Sequence, residues 1–437
     1  MSESVQEALS ALRGPGGVDE MKALAADGLA PKVRPRINSH IHFPPNFSAF
    51  QSVEQAVSLA ADQGIGVLGA GNYYDYEVYG QFVAQARRRG VFPLFGLEII
   101  ALIDELVRKG VLINDPGNPG KIYICGKGIT RFDEMTPKAR ELLGIIRRND
   151  SQRMAEMVAR LAEIFASHGL DTGVDTDAVI DMIVRRHGCE RRTVYLQERH
   201  AAMAFQQAFF RLVPPEQRLG KLAELFGTAS KATPDDEVTI QNEIRSHLMK
   251  AGKPAFVAET FVSFEQAYRL ILELGGIPCY PTLADGTRPI CEYEDPVEKL
   301  IGRIQANHIH CVEFIPIRNT PAVLSRYVRA MREAGLIVVA GTEHNTLDLL
   351  PIEPACVRGE PIPEPIKEII WEGTCVVAAH QFLNFRGRCG YVDAEGNLNP
   401  AYESQEERIE QLAALGAAVI EKYRDRFTAE GAENAES

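Results

Sequence analysis

Arg36-Ile-Asn-Ser-His40-Ile-His42-Phe43 is the stretch on which the reading of the fold turns. Side-chain direction repeats every two residues along a β-strand, so His40 and His42 project from one face. The stretch follows a charged, proline-containing lead-in, Lys32 to Arg36, where a first core strand can begin. Paired neutral imidazoles at a strand end suit Zn, Fe or Mn. The plainer alternative is a half-exposed strand that carries two surface histidines.

Working outward, the pattern from residue 51 to 130 alternates helix and strand. Val53 to Gln63 and Glu77 to Arg89 read as amphipathic helices, and Gly66-Val-Leu-Gly-Ala, Val91 to Ile100 and Lys121 to Gly126 read as strands. Asn114-Asp-Pro-Gly-Asn-Pro-Gly is a turn-dense loop. From Thr136 to about Lys250 the texture is helical, polar and charged, with helix starts at Asp175-Thr-Asp and Pro214-Pro-Glu. Strands are expected again at Ala255-Phe-Val, Gly276 to Tyr280, Cys311 to Ile315 and Leu336 to Gly341, with helices at Ser263 to Glu273, Pro296 to Gln305 and Val323 to Glu333. Repeating β-α units imply a parallel sheet or barrel, interrupted by a helical insertion. The expected division is an N-terminal segment 1–37, a barrel of 38–135 and 251–390, an insertion 136–250, and a C-terminal helix and tail 391–437. Ser404 to Arg426 reads as a surface helix and Ala429 to Ser437 as a disordered acidic tail.

Composition narrows the function classes. A net charge of −12, from 47 basic and 59 acidic residues, argues against a duplex nucleic-acid partner, which needs a basic face. The opening Met-Ser-Glu-Ser-Val-Gln-Glu lacks the regions of a signal peptide, and no apolar run approaches the ~20 residues of a membrane span. The eight cysteines form no C-x-x-C pair and read as reduced, buried thiols. The expectation is a cytoplasmic protein that acts on a small molecule, with no membrane or nucleic-acid partner and with an oligomeric state the sequence does not reveal.

Parallel β/α barrels place chemistry at the carboxyl ends of strands. The polar residues at those ends are His40 and His42, Asn72 and Tyr73, Glu98, Tyr123, Tyr280, Glu313, and Thr342-Glu343-His344-Asn345. Two imidazoles and two carboxylates from separate strands can converge on one ion. Glu98, inside the apolar run Phe-Gly-Leu-Glu-Ile-Ile, is costly to bury unless paired or bound to metal. Lys127, Arg199 and Arg318 are candidates for holding a carboxylate or phosphate, and a solvated surface charge is the alternative for each. A second His-x-His, His308 and His310, precedes its strand and falls at the wrong end of a barrel. His380 either caps the pocket or satisfies a helix end.

These motifs resemble, in order from about residue 38 to 346, the PHP family of polymerase and histidinol phosphatase phosphoesterases. The first motif is His40-Ile-His42, and the Gly-x-Glu motif is Gly96-Leu-Glu98. Gly71-Asn72-Tyr73, Tyr123-Ile-Cys-Gly, Gly275 to Pro281 and Gly341-Thr-Glu343-His-Asn345 correspond to the rest. The resemblance implies a distorted (β/α)7 TIM-like barrel with a helical insertion, in which Glu198-Arg199-His200 matches an Arg- and His-bearing stretch. It also implies His40, His42, Glu98 and Glu343 as ligands of one ion, with Glu313 structural. The family's remaining ligand histidines are Tyr73, Tyr123, Tyr280 and Asn345 here, and an aspartate is Asn72. Neutral phenols and amides are poor ligands, so the expectation is one divalent ion, Zn, Mn or Fe.

Within that scheme Tyr73 and Tyr280 are candidate catalytic groups, and His344 is a candidate base or a further ligand. Asn72, Tyr123, Lys127, Arg199, His200, Arg318 and Asn345 are candidate substrate-binding residues. The leading function is a metal-dependent, phosphoesterase-like hydrolase of a small anionic or hydroxylated substrate. A metal-dependent lyase or isomerase of a sugar acid is the alternative, and a degenerate, non-catalytic scaffold is a third reading.

Overall fold

The computed structural model describes residues 3–13, 16–258 and 262–435. Its sheet comprises β1 (Arg36–Ile41), β2 (Ile65–Ala70), β3 (Phe92–Leu102), β4 (Lys121–Lys127), β5 (Val262–Ser263), β6 (Ile277–Thr282), β7 (Cys311–Phe314) and β8 (Ile337–Ala340). Seven strands run in the order β1-β2-β3-β4-β6-β7-β8, and the short β5 attaches to β3. The sheet nearly closes into a barrel where Ile41 meets Glu343: the His42 amide donates to Glu343 O, and the Glu343 amide to His40 O, each at 2.9 Å. The expected distorted seven-strand barrel is therefore the observed fold.

Local sequence explains the frame. The helix Val53–Asp62 buries Val53, Ala56, Val57 and Ala60, a helical i, i+3, i+4, i+7 stripe, against the sheet. Ser52 caps its first turn by accepting from the Gln55 amide. Ser263 and Gln266 form a reciprocal capping box on the helix Phe264–Glu273. β2, Ile-Gly-Val-Leu-Gly-Ala, is buried throughout, as a central strand covered on both faces requires.

The expected all-parallel pattern fails at β4, which is antiparallel to both β3 and β6. Between β3 and β4 the only helix is Asp104–Lys109, about 9 Å long by its residue count. That is too short to carry the chain back along an eleven-residue strand, so the chain turns and returns alongside β3. Reversal swaps the ends of β4. Tyr123 pairs with Ile100 near the carboxyl end of β3, whereas Lys127 pairs with Gly96 deeper in the barrel.

Helices Pro137–Ser167, Thr176–His187, Glu198–Leu212, Pro215–Phe226 and Glu237–Ile244 fill the insertion. They enclose a second apolar core around Phe165, Phe205, Phe209, Leu222 and Ile240. The strand expected at Ala255-Phe-Val is not formed. Ala255 and Val257 instead close this second core, since a short apolar run after a proline specifies burial but not pairing. The expected surface helix is also corrected: the helix Gln405–Ala435 buries Ile409, Leu412, Val419 and Ile420 against the helix Glu364–Asn384. It runs into the segment expected as a disordered tail, whose last two residues lie outside the described ones.

Helix Glu364–Asn384 reaches the amino-terminal parts of the strands. Its Gln381 amide bonds Pro93 O and the Phe95 amide, and His380 Nε2 donates to Gly275 O at 3.0 Å. His380 thus sits away from the barrel mouth. Among the described residues no helix is long and apolar enough to cross a membrane. Six of the cysteines are buried, Cys189 is half-buried and Cys389 is exposed.

Candidate metal centre

His40 and His42 leave the carboxyl end of β1 with their rings 4.9 Å apart. His40 is wedged between two glycines. A Cβ at Gly71 would overlap its imidazole, and one at Gly341 would overlap its Cβ and backbone nitrogen. Beneath it, Glu313 on β7 accepts from His40 Nδ1 at 2.8 Å, from Lys127 Nζ at 2.5 Å and from Ser39 Oγ at 3.2 Å. All four side chains are buried. Burial alone would raise the Glu313 carboxyl, but Lys127 and His40 override it and hold it down to about 2. Glu313 is therefore an anion, it fixes the proton on His40 Nδ1, and it leaves Nε2 free as an acceptor.

That Nε2 faces the barrel mouth, where the hydrogen bonds run out. His40 Nε2, both ring nitrogens of His42 and Glu98 Oε2 are buried without a hydrogen-bond partner. His42 Nε2 lies 3.2 Å and His40 Nε2 3.7 Å from Glu98 Oε2. Ligand atoms about 2.1 Å from a tetrahedral ion stand about 3.4 Å apart, so the spacing suits a divalent metal. The chemistry fits as well: unpartnered buried polar atoms are costly, and two imidazoles with one carboxylate is a common donor set that leaves a position for water or substrate. A second group, His40, Cys125 and Glu313, also gathers donor atoms within 4.8 Å, but there His40 Nδ1 and Glu313 already satisfy each other.

Glu343 is not part of the three-residue group that the structure brings together. Both its oxygens accept from Arg318, at 3.0 and 2.5 Å, and Asn345 Nδ2 donates to it at 2.7 Å. Burial would raise this carboxyl, yet Arg318 holds it below the usual range. Its backbone is left-handed, as is that of His344, with φ of 58° and 49°. Such non-glycine geometry costs about 1 kcal/mol or more per residue and collects at functional sites.

A cavity of about 450 Å³ opens above the centre, between the barrel mouth and the insertion. Glu98, Tyr73, Tyr123, Arg199, Arg318, Glu343 and Asn345 line it. Tyr73 stacks on His42, with centroids 5.2 Å apart and planes 7° apart. Burial, reinforced by Glu98, pushes its phenol well above the usual value, and burial pushes Tyr123 to about 12. Both are neutral hydrogen-bond donors.

The other sequence candidates lie elsewhere. His344 has both ring nitrogens engaged, Nδ1 with Thr342 Oγ1 at 2.6 Å and Nε2 with Leu350 O at 3.0 Å, and it stacks on Phe50. The Tyr280 hydroxyl donates to buried Glu294 at 2.8 Å. Asn72 braces the backbone of Phe43 through both ends of its amide. Lys127 is sealed under the centre because β4 is reversed. His200 is buried against Phe47, and its Nδ1 accepts from the Gln197 amide. Arg153, Arg245 and Lys250, which line the insertion side of the cavity beside Glu198, are not among the sequence candidates. Nothing in their local pattern separates them from the solvated charges of ordinary helices.

No family model and no curated protein matches the chain. Solved structures do. One is a protein from Bifidobacterium adolescentis classed as a metal-dependent phosphoesterase, with 14% identity, a TM-score of 0.51, and coverage of 77% of this chain and 97% of that one. Another is an amidohydrolase from Chromobacterium violaceum with bound sulfate and no metal, at 18% identity and a TM-score of 0.47, covering 76% and 96%. The chain shares the first protein's fold.

Two outcomes follow from this geometry. Glu313→Gln removes the anion between His40 and Lys127, so metal affinity falls by about 10- to 100-fold and stability by about 3–5 kcal/mol; metal titration and urea unfolding read the two effects. Glu294 sets a pH dependence. Burial pushes its carboxyl up to about 7 despite the Leu283 and Ala284 amides and the Tyr280 hydroxyl that bond it. The folded state then holds a proton that the unfolded chain releases near 4.5, so this contribution to stability declines as pH rises from about 4.5 to about 7 and is constant above. Glu294→Gln abolishes that part of the slope in denaturant midpoints measured between pH 5 and 8.

Proposed function

We propose that this protein is a PHP-type hydrolase with one divalent ion held by His40, His42 and Glu98, acting on a small anionic phosphoester or ester. One observation carries the reading: three unpartnered donor residues converge at the floor of a cavity, and Glu98 belongs both to that group and to the cavity wall. The fold shared with a protein classed as a metal-dependent phosphoesterase is consistent with it.

A divalent ion held by His40, His42 and Glu98 would supply Lewis acidity at the floor of the cavity. The chain's own groups do the rest. Glu313 keeps the His40 proton on Nδ1, and with it the orientation of the ring. Tyr73, clamped flat against His42, and Tyr123 present neutral hydroxyls that can donate to charge developing on a substrate oxygen. Arg318 keeps guanidinium donors beyond the two given to Glu343 and is partly exposed at the cavity. Glu343 and Asn345 hold that guanidinium in place. His344 and Tyr280 act as positioning residues for the loops that carry them.

With p-nitrophenyl phosphate as a generic ester, metal-loaded protein turns over, and His42→Ala or Glu98→Gln lowers kcat by about a thousandfold or more. Tyr73→Phe lowers kcat by about 10- to 100-fold with little change in KM. Tyr280→Phe stays within about threefold, because its hydroxyl serves Glu294 rather than the cavity. Activity that survives His42→Ala contradicts the reading. Inertness toward esters combined with conversion of sugar acids moves it to a lyase or isomerase.

A further inference from the structure

The insertion's wall of the cavity carries Asp150, Arg153, Glu198, Arg199, Arg245 and Lys250. Glu198 gathers Lys250 Nζ at 2.6 Å, Arg153 Nη2 at 3.0 Å and Arg245 Nη2 at 3.5 Å. Burial pushes the Glu198 carboxyl up, but Lys250, Arg245 and Arg153 override it and hold it well below the usual range. One carboxylate thus serves several cations. Arg199 adds a further charge beside them, donating to the neutral Asn242 amide at 3.3 Å. Among the described residues of this wall, four cations stand against two carboxylates. Of the acids across the cavity, Asp115 pairs with Lys121 at 3.1 Å and Glu343 with Arg318, while Glu98 belongs to the His40 and His42 group.

Backbone geometry concentrates the charge. Helix Glu237–Ile244 widens into a π turn over Arg245–Met249. The Lys250 amide donates to Arg245 O, five residues back, which brings residues 245 and 250 to one side, both toward Glu198. Single π turns of this kind collect at functional sites. Arg245 Nε is buried with no hydrogen-bond partner, and like charges crowd there: burial, and Arg245 beside it, push Arg199 down to about 10. An oxyanion in the cavity would relieve the repulsion among these cations.

We propose that Arg199, Arg245 and Lys250 form a subsite for a phosphate or carboxylate group on the substrate, remote from the group that reacts at His40, His42 and Glu98. The substrate is then a small molecule with at least two anionic groups, one for the metal centre and one for the insertion. This deepens the hydrolase reading and rests on it for the word substrate; the anion site itself does not.

Inorganic phosphate is titrated by calorimetry into His42→Ala protein, which lacks the metal centre, and into the same protein carrying Arg245→Gln or Arg199→Gln. Binding persists in His42→Ala and weakens by about tenfold or more with either arginine change, the equivalent of losing one charge-assisted hydrogen bond. Acetate in a parallel titration distinguishes a phosphate from a carboxylate ligand. Phosphate that binds only metal-loaded wild-type protein, indifferent to Arg245→Gln, places the anion at the metal and overturns the proposal, as does the absence of binding at tens of millimolar. Arg199→Gln, whose half-buried side chain bonds the Asn242 amide and lies over the Phe47 ring, serves as the variant that keeps the fold, checked by its thermal midpoint. Phosphate bound in His42→Ala with no esterase activity in wild type would leave the subsite standing and remove the hydrolase.

Discussion

Glu313 holds this barrel's chemistry in register. Buried completely, it joins β7 to His40 and Ser39 on β1 and to Lys127 on β4, so one carboxylate pins three strands across the barrel interior. A lone buried carboxylate is expensive, and one flanked by an ammonium and an imidazole offsets that expense through paired hydrogen bonds. The pairing also selects a tautomer. With the Nδ1 proton committed downward, His40 can offer only Nε2 upward, toward Glu98 and His42. The polarity of the mouth is therefore set from below, and the glycines at 71 and 341 leave the ring no room to turn elsewhere.

The three donors and the cavity above them divide the labour between barrel and insertion. The barrel supplies donor atoms that satisfy nothing else in the protein, and the insertion supplies a charged roof. Between them lies Arg318, which binds Glu343, the second carboxylate expected in the donor set. A bidentate guanidinium neutralises the Glu343 carboxylate, and Asn345 completes the clamp. The left-handed backbone at Glu343 and His344 is the local cost of closing β8 back onto β1 while turning that carboxylate toward Arg318.

Much of this was legible in the sequence because strand chemistry is local. His-Ile-His on β1 and Gly-Leu-Glu on β3 declare by alternation which side chains share a face, and the barrel follows from the succession of β-α units. What was illegible depended on direction and on distance. Lys127 was misplaced because no residue in its own strand announces that β4 runs backwards; the cause is a connection too short to cross over. Tyr280 and His344 sit at the expected strand ends, yet their polar atoms are claimed by Glu294, Thr342 and Leu350. Glu343 had the right position and residue type, but its partner lies 25 residues earlier in the chain. The cations of the insertion became visible only when folding placed 153, 199, 245 and 250 on one wall.

The metal content of gently purified protein, with His40→Ala as the control, is the measurement to make. About one transition ion per chain is expected in the wild type and almost none in the variant, since His40 Nε2, His42 and Glu98 Oε2 converge there without hydrogen-bond partners. Two or three ions per chain would mean that groups assigned here to hydrogen bonding also ligate. A protein that stays metal-free after reconstitution would contradict the central claim outright.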